Sequence, residues 1–431
     1  MIKNYDTKYL LFKISFILLC VGTLCDTMLF TNLNFGFFHI NIETPKTVLL
    51  IYIGVFFLIT DYKFSDAFDK IYKKFVLFVI LIFLSALLSS VMSTEKEKAF
   101  KTLFNYLSYF VCLLITLKHL KQFNQAGNFI LKSFLVINFL LAVSCILDFY
   151  IQQFNQFLID HFGHNELKHS FFKMNGEMIL RPSGLTSDTN LTAFSIAVSL
   201  VLVILNYSKF KNKILIWVFI LCSGFAFGML SSRSAQIIIL LSGILFIIFK
   251  KVNYKTILQI VIVFFVVQLA TPQTIARIQQ FFSKEAMEEE ATYGRSMIWR
   301  GAWLAFQENK VIGLGPGVFF NKSIDYISRT MDKAKFDTLE KSQYNPHNIF
   351  LVFLSEQGII GAIIFLSLLI FLLNYFVRQK KYLSLIFLLC ILIVSSLSNY
   401  APYFKYYLII CLVIYSLDKQ NYQLKENAVN A

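Results

Sequence analysis

Charge is scarce in this sequence: of 431 residues, 15% are Asp, Glu, Lys or Arg, against 57% hydrophobic and 17% aromatic. That scarcity argues against a single soluble core, whose helices would be apolar on one face and polar on the other. Runs such as FVLFVILIFLSALLSSVM (75–92) are apolar all round, the pattern of a membrane-buried helix. No soluble domain stands out and no internal repeat is visible. A cleavable leader is also lacking: the first apolar run follows Lys3, Lys8 and Lys13 without a small-residue cleavage pattern, so a retained first helix is expected.

Paired cysteines are missing as well. Cys20, Cys25, Cys112, Cys145, Cys222, Cys390 and Cys411 all lie inside apolar runs, and their spacing fits neither a disulfide framework nor a metal site, so they read as packing residues. The net charge of +15 comes from basic residues scattered through short loops. That distribution orients a membrane protein and excludes nucleic acid as a partner.

What is present is a series of apolar stretches. Spanning helices are predicted at 9–30, 46–60, 74–92, 101–117, 129–150, 189–207, 214–231, 234–249, 255–271, 349–377, 382–398 and 403–417. The expected fold is therefore all-α, a polytopic integral membrane protein with about twelve transmembrane helices and a helical outer loop. Five spans fill 1–150, a long outer loop occupies 151–188, four spans fill 189–271, a larger outer loop runs over 272–346, and the last helices and an inner tail occupy 347–431. With the N-terminus inside, 21 of the 40 basic residues fall in inner segments, six in short outer loops and thirteen in the two long loops. Long loops do not count towards the positive-inside bias, so the alternation supports this orientation. Chemistry is expected in the two long outer segments.

Arginine is rarer still. Seven of the 40 basic residues are arginine, and Arg181, Arg233, Arg277, Arg295, Arg300 and Arg329 all fall on the outer side. A guanidinium grips phosphate oxygens bidentately, as a lysine ammonium cannot; it also makes structural ion pairs and snorkels to headgroups, so position has to separate the two. Arg233 sits in MLSSRSAQ, a short turn between spans, where an ionisable residue is a functional candidate. Arg181 opens RPSGLTSDTN, whose Pro182 and Gly184 force a turn and whose Ser187 or Asp188 can cap the next helix. Arg295 begins GRSMIWRGAWLAF, in which Arg295, Ile298, Trp299, Ala302 and Phe306 share one face of an amphipathic helix able to lie in the outer interface. GLGPG (313–317) gives a flexible turn whose amides can approach an anion.

Histidine is limited to six residues. His347 stands at the start of an apolar run, where the positive end of a helix dipole favours the neutral imidazole and leaves a lone pair for a proton. A structural histidine is the competing reading. His161, His164 and His169 lack the spacing of a defined metal site, and His39 and His119 sit in short loops. No paired acidic motif marks a diphosphate-bound metal, and EAMEEE (285–290) reads as a solvated charge run. No metal or cofactor is expected.

RPSGLTSDTN, SSRSAQ, GRSMIWRGAW with ENKVIGLGPGVF, and PHNIFLVFLSEQGIIG, in this order, resemble the bacterial O-antigen ligase and polymerase superfamily of polytopic glycosyltransferases. His347, Asn348, nine residues, Gly358, two residues and Gly361 are similar to the signature of the ligases in particular. The resemblance covers residues 175–400; Thr189 departs from it, where the family often has proline. It implies transfer of polysaccharide from undecaprenyl diphosphate to a hydroxyl of lipid A core, at the periplasmic face of the bacterial inner membrane, with both termini cytoplasmic. Arg233 and Arg295 are then expected to neutralise the departing diphosphate, with Arg181 and Arg300 in substrate binding. His347 deprotonates the acceptor hydroxyl, giving inversion at the anomeric carbon, and Asn348 positions the acceptor or the imidazole. Asp188 is an alternative base. The partners implied are the undecaprenyl-diphosphate-linked donor, the lipid A core acceptor and membrane lipids. An O-antigen polymerase, a transferase acting on protein hydroxyls and a lipid-linked sugar transporter are the alternatives.

Overall fold

The computed structural model describes residues 5–24, 33–35, 38–40, 53, 70–123, 125–154, 156–157, 170–174, 177–186, 189–248, 253–282, 295–331 and 344–395. In chain order the elements are α1 (Tyr5–Leu24), β1 (Leu33–Phe35), β2 (Phe38–Ile40), α2 (Lys70–Met92), α3 (Lys96–Gln122), α4 (Ala126–Tyr150), β3 (Ser170–Met174) and β4 (Glu177–Arg181). There follow α5 (Thr189–Asn206), α6 (Lys213–Leu230), α7 (Arg233–Ile248), α8 (Tyr254–Gln268), α9 (Pro272–Phe282), α10 (Arg295–Glu308), α11 (Val318–Ser328), α12 (Ile349–Arg378) and α13 (Tyr382–Ser395).

The fold is almost entirely helical, as the apolar runs predict. Helices occupy ten of the twelve predicted stretches; 46–60 and 403–417 lie outside the described residues. Five helices, α2, α4, α5, α6 and α12, are long and apolar enough to cross a membrane, while α7 and α8 are apolar but shorter. Five candidate spans are thus established among the described residues, against the twelve expected. Two short antiparallel hairpins, β1–β2 and β3–β4, qualify the all-α expectation. Asn175-Gly176 lies between β3 and β4 in the sequence and is a hairpin signal that the apolar pattern conceals.

One compact unit comprises residues 1–61, 112–280 and 405–431. Its centre is α5, buried along almost its whole length and packed on α4, α6 and α7. A helix apolar on every side has no face to give to water, which explains that position. The few polar side chains are paired: Asn138 donates from Nδ2 to Phe134 O and accepts from Ser195 Oγ at 2.6 Å. Gly224 and Gly228 let α6 approach the backbone of α8 and the turn after it, the usual role of small residues between membrane helices.

The other unit comprises residues 62–111 and 281–404. Here α2 packs on α12, and α10 packs on both α11 and α12. Met297, Ile298, Ala302 and Ala305 of α10 form a core with Leu314, Val318, Phe319 and Ile327. Ile298 and Ala302, expected on a face lying in the membrane interface, are in this core instead. The helix turns its small and aliphatic side inward and leaves Arg295, Arg300 and Trp303 exposed.

Within α12 the backbone breaks at Gly358, where φ is 64° and ψ is −163°, a conformation essentially confined to glycine. The groups freed by the break are taken up by the segment before α11. Leu314 N–H donates to Ser355 O and Gly315 N–H to Glu356 O, both at 2.9 Å, while Ile359 N–H donates to Lys310 O at 2.8 Å. Such a break survives in an apolar helix only when protein satisfies the orphaned groups. Ser85 Oγ also donates to Gln357 Oε1 at 2.6 Å and Ser89 Oγ to Glu356 O at 2.5 Å, fixing α2 to the same place.

Candidate active site

Pro346, His347 and Asn348 form a rigid lead into α12. Pro346 is buried and has a fixed φ. His347 is held at a φ of 51°, a left-handed conformation uncommon outside glycine. Asn348 is the N-cap: its Oδ1 accepts from Phe350 N–H at 3.0 Å and Leu351 N–H at 3.2 Å. The side chain that could address an acceptor sugar is therefore engaged in fixing the backbone that carries the imidazole.

Arg295, the first residue of α10, is exposed and close enough to His347 to act on its charge. Burial, and then the Arg295 guanidinium, push the His347 imidazole down from 6.5 to about 4. The neutral form expected from the helix dipole is what results, with these two causes as the ones resolved. Arg295 and His347 are thus brought together by the packing of α10 on α12.

The other predicted site residues are placed differently. Arg300 is exposed, five residues along α10 from Arg295 and turned to another side of it. Arg329 takes the structural role: it makes a bidentate pair with Glu308 at 2.7 and 3.1 Å and lies 4.6 Å from the centre of the Tyr326 ring. Asp188, the histidine cluster and EAMEEE fall outside the described residues, as does the Arg277 side chain.

In the first unit, Arg181 is buried at the end of β4, its Nε donating to Leu230 O at 2.7 Å and its Nη2 to Asn190 Oδ1 at 3.1 Å. Leu230 is the last residue of α6, so the guanidinium meets the negative end of that helix. Ser231 follows in a left-handed conformation, with φ 47°, and Arg233 then opens α7 as an exposed residue.

Two buried carboxylates escaped sequence reasoning. Asp148 of α4 accepts from Ser183 N–H at 3.2 Å and Gly184 N–H at 3.0 Å, clamping the turn that follows Arg181. Glu356, beside the break in α12, accepts from Gly317 N–H. GLGPG was read as a turn able to meet an anion, but its Leu314 and Gly315 amides are engaged with α12. No set of three or more metal-ligating side chains occurs among the described residues.

Residues 218–366 match the family described as O-antigen ligase, a segment that contains Arg233, Arg295, the 310–317 strap, His347 and the break in α12 at Gly358. The chain is also similar to the ComP-specific O-oligosaccharyltransferase of Acinetobacter baylyi, at 28% identity over 228 residues. That match covers 50% of this chain and 40% of the relative. Over residues 218–366 the chain accordingly carries the domain of the O-antigen ligase family, within the superfamily that its motifs resemble.

Proposed function

We propose that the protein is an O-antigen ligase, moving a polysaccharide from undecaprenyl diphosphate to a hydroxyl of lipid A core by metal-independent, inverting transfer. The observation that carries this reading is the pairing of a neutral imidazole, His347, with an exposed guanidinium, Arg295, on a rigid capped segment of the matched domain. A glycosyl diphosphate already holds a good leaving group. Catalysis then requires neutralising the departing charge and removing the acceptor proton. The acceptor oxygen bonds to the anomeric carbon as its proton passes to His347. The bond from that carbon to the diphosphate oxygen breaks, and the electron pair leaves with undecaprenyl diphosphate, whose charge Arg295 neutralises.

Arg233, exposed at the first turn of α7, is assigned the same phosphate-binding task, and Arg300 a supporting one. Arg181 serves by holding the end of α6, since two of its donor groups are on protein oxygens. The reading places the chain in the bacterial inner membrane with both termini cytoplasmic and His347 periplasmic. A second reading is favoured by the Acinetobacter relative: the acceptor is a protein hydroxyl, and the chain an O-oligosaccharyltransferase.

Lipopolysaccharide gels of a deletion strain complemented with wild type, His347→Ala or Arg295→Ala test both readings, with lipid-linked glycan and glycoprotein measured alongside. Bare lipid A core with accumulated long lipid-linked polymer, restored by wild type and not by His347→Ala at equal membrane levels, supports ligation. Core capped with a single repeat unit indicates a polymerase. An intact ladder with lost glycoprotein indicates the protein acceptor.

A further inference from the structure

The exposed side of α10 carries more than Arg295. Trp299, Trp303 and Phe306 follow it at intervals of four, four and three residues, so the four side chains form one stripe along the helix. Trp303 is 46% exposed, and its ring lies 5.1 Å from that of Phe306, tilted by 48°. Trp299 and Phe306 are half-buried, and the Trp299 indole N–H is itself buried and meets no acceptor among the described residues.

Burial in hydrocarbon does not account for the stripe. The exposed large side chains of α7 are Ile237, Leu240, Ile244, Ile247 and Ile248, an aliphatic surface. On α10 the exposed residues are Arg295, Arg300, Trp303, Gln307 and Glu308, a surface too polar for hydrocarbon. Flat aromatic faces among polar groups suit a molecule with apolar C–H faces and hydroxyl edges, and Arg295 complements an anionic end. At 1.5 Å per residue, Arg295 and Trp303 are about 12 Å apart along the axis, the scale of a short oligosaccharide.

We propose that this stripe is a carbohydrate subsite: with the donor diphosphate at Arg295, the first sugars of its glycan run along α10 and stack on Trp303 and Phe306. The proposal rests on the glycosyl-transfer reading above. It gives the enzyme a means of preferring an assembled glycan over a single lipid-linked sugar.

The test uses the full chain in lipid nanodiscs and two donors, undecaprenyl diphosphate bearing the native oligosaccharide and undecaprenyl diphosphate bearing one sugar. Trp303→Ala is expected to lower the ratio of kcat/KM for the long donor over the short one about tenfold, through KM, and Trp303→Phe to restore most of it. An unchanged ratio, or a parallel fall for both donors, overturns the proposal. A second measurement needs no turnover. In a Trp217→Phe/Trp299→Phe protein, Trp303 is the remaining tryptophan, and its emission is followed in nanodiscs with and without brominated lipid. Quenching by bromine makes the stripe a membrane anchor and overturns the proposal. Emission indifferent to bromine but shifted by the oligosaccharide released from the donor supports it. If wild type and His347→Ala are equally inactive on both donors, the glycosyl-transfer reading fails, and the emission result alone then decides whether the stripe binds carbohydrate.

Discussion

A base held at about 4 is neutral throughout the physiological range but weak. The pairing of His347 with Arg295 resolves this tension: an anionic diphosphate arriving at the guanidinium cancels one of the two causes of the depression, so the imidazole gains basicity when the donor is bound. For the free enzyme, the acid limb of kcat/KM is expected near pH 4 and not near 6.5, and the limb of kcat, which reports the donor-bound state, at higher pH. Arg295→Gln moves the kcat/KM limb upward, but short of 6.5 because burial remains. A pH profile with its limb at 6.5 in wild type rules this electrostatic account out. The same shift makes the fold less stable as pH falls from about 6.5 towards 4, because the unfolded chain takes up a proton that the folded imidazole refuses. Asn348 acts beside it as a cap. Asn348→Ala should cost about 1 kcal/mol in the unfolding of purified protein and lower kcat, whereas Asn348→Ser, itself a capping residue, should retain most of both.

At the scale of elements, the broken α12 and its strap are one device. The amides and carbonyls of Lys310, Leu314 and Gly315 complete the hydrogen bonding that Gly358 interrupts. A Cβ at Gly358 would collide with the backbone of Val311 and Ile312 as well as forcing a forbidden conformation. Gly358→Ala is therefore expected to destabilise the protein by at least about 3 kcal/mol. Gly243→Ala, where a Cβ meets only Ile257 Cγ2 at 3.6 Å, is expected to be neutral or stabilising by up to about 1 kcal/mol. Thermal unfolding of the two variants in one detergent checks the contrast. The motif of His347, Asn348, Gly358 and Gly361 was legible in the sequence, and so was the histidine's place at a helix start. What the glycines do was not, because the strap that answers the break lies more than forty residues away in the chain, and local spacing carries no information about that pairing. Arg329 was ambiguous for a like reason: its partner Glu308 is 21 residues distant, so residue type alone could not separate an ion pair from a phosphate site.

For the whole molecule, orientation decides whether His347 can meet its acceptor at all. With the N-terminus inside, the inner segments would hold 21 basic residues and the short outer loops six, and lysine-rich loops resist crossing the membrane. The expected alternation depends on the number of spans, since loss or gain of one span before α6 would move Lys209, Lys211 and Lys213 to the opposite side. Reporter fusions read this directly. A fluorescent protein joined after Lys211 should light up, and alkaline phosphatase joined there should be silent; after Lys335 the two results should be reversed. If both fusion sites report the same side, the number of spans between them is even, where the proposed topology requires three. A reversal at both sites would put His347 in the cytoplasm, and a periplasmic ligase would then be untenable whatever its imidazole can do.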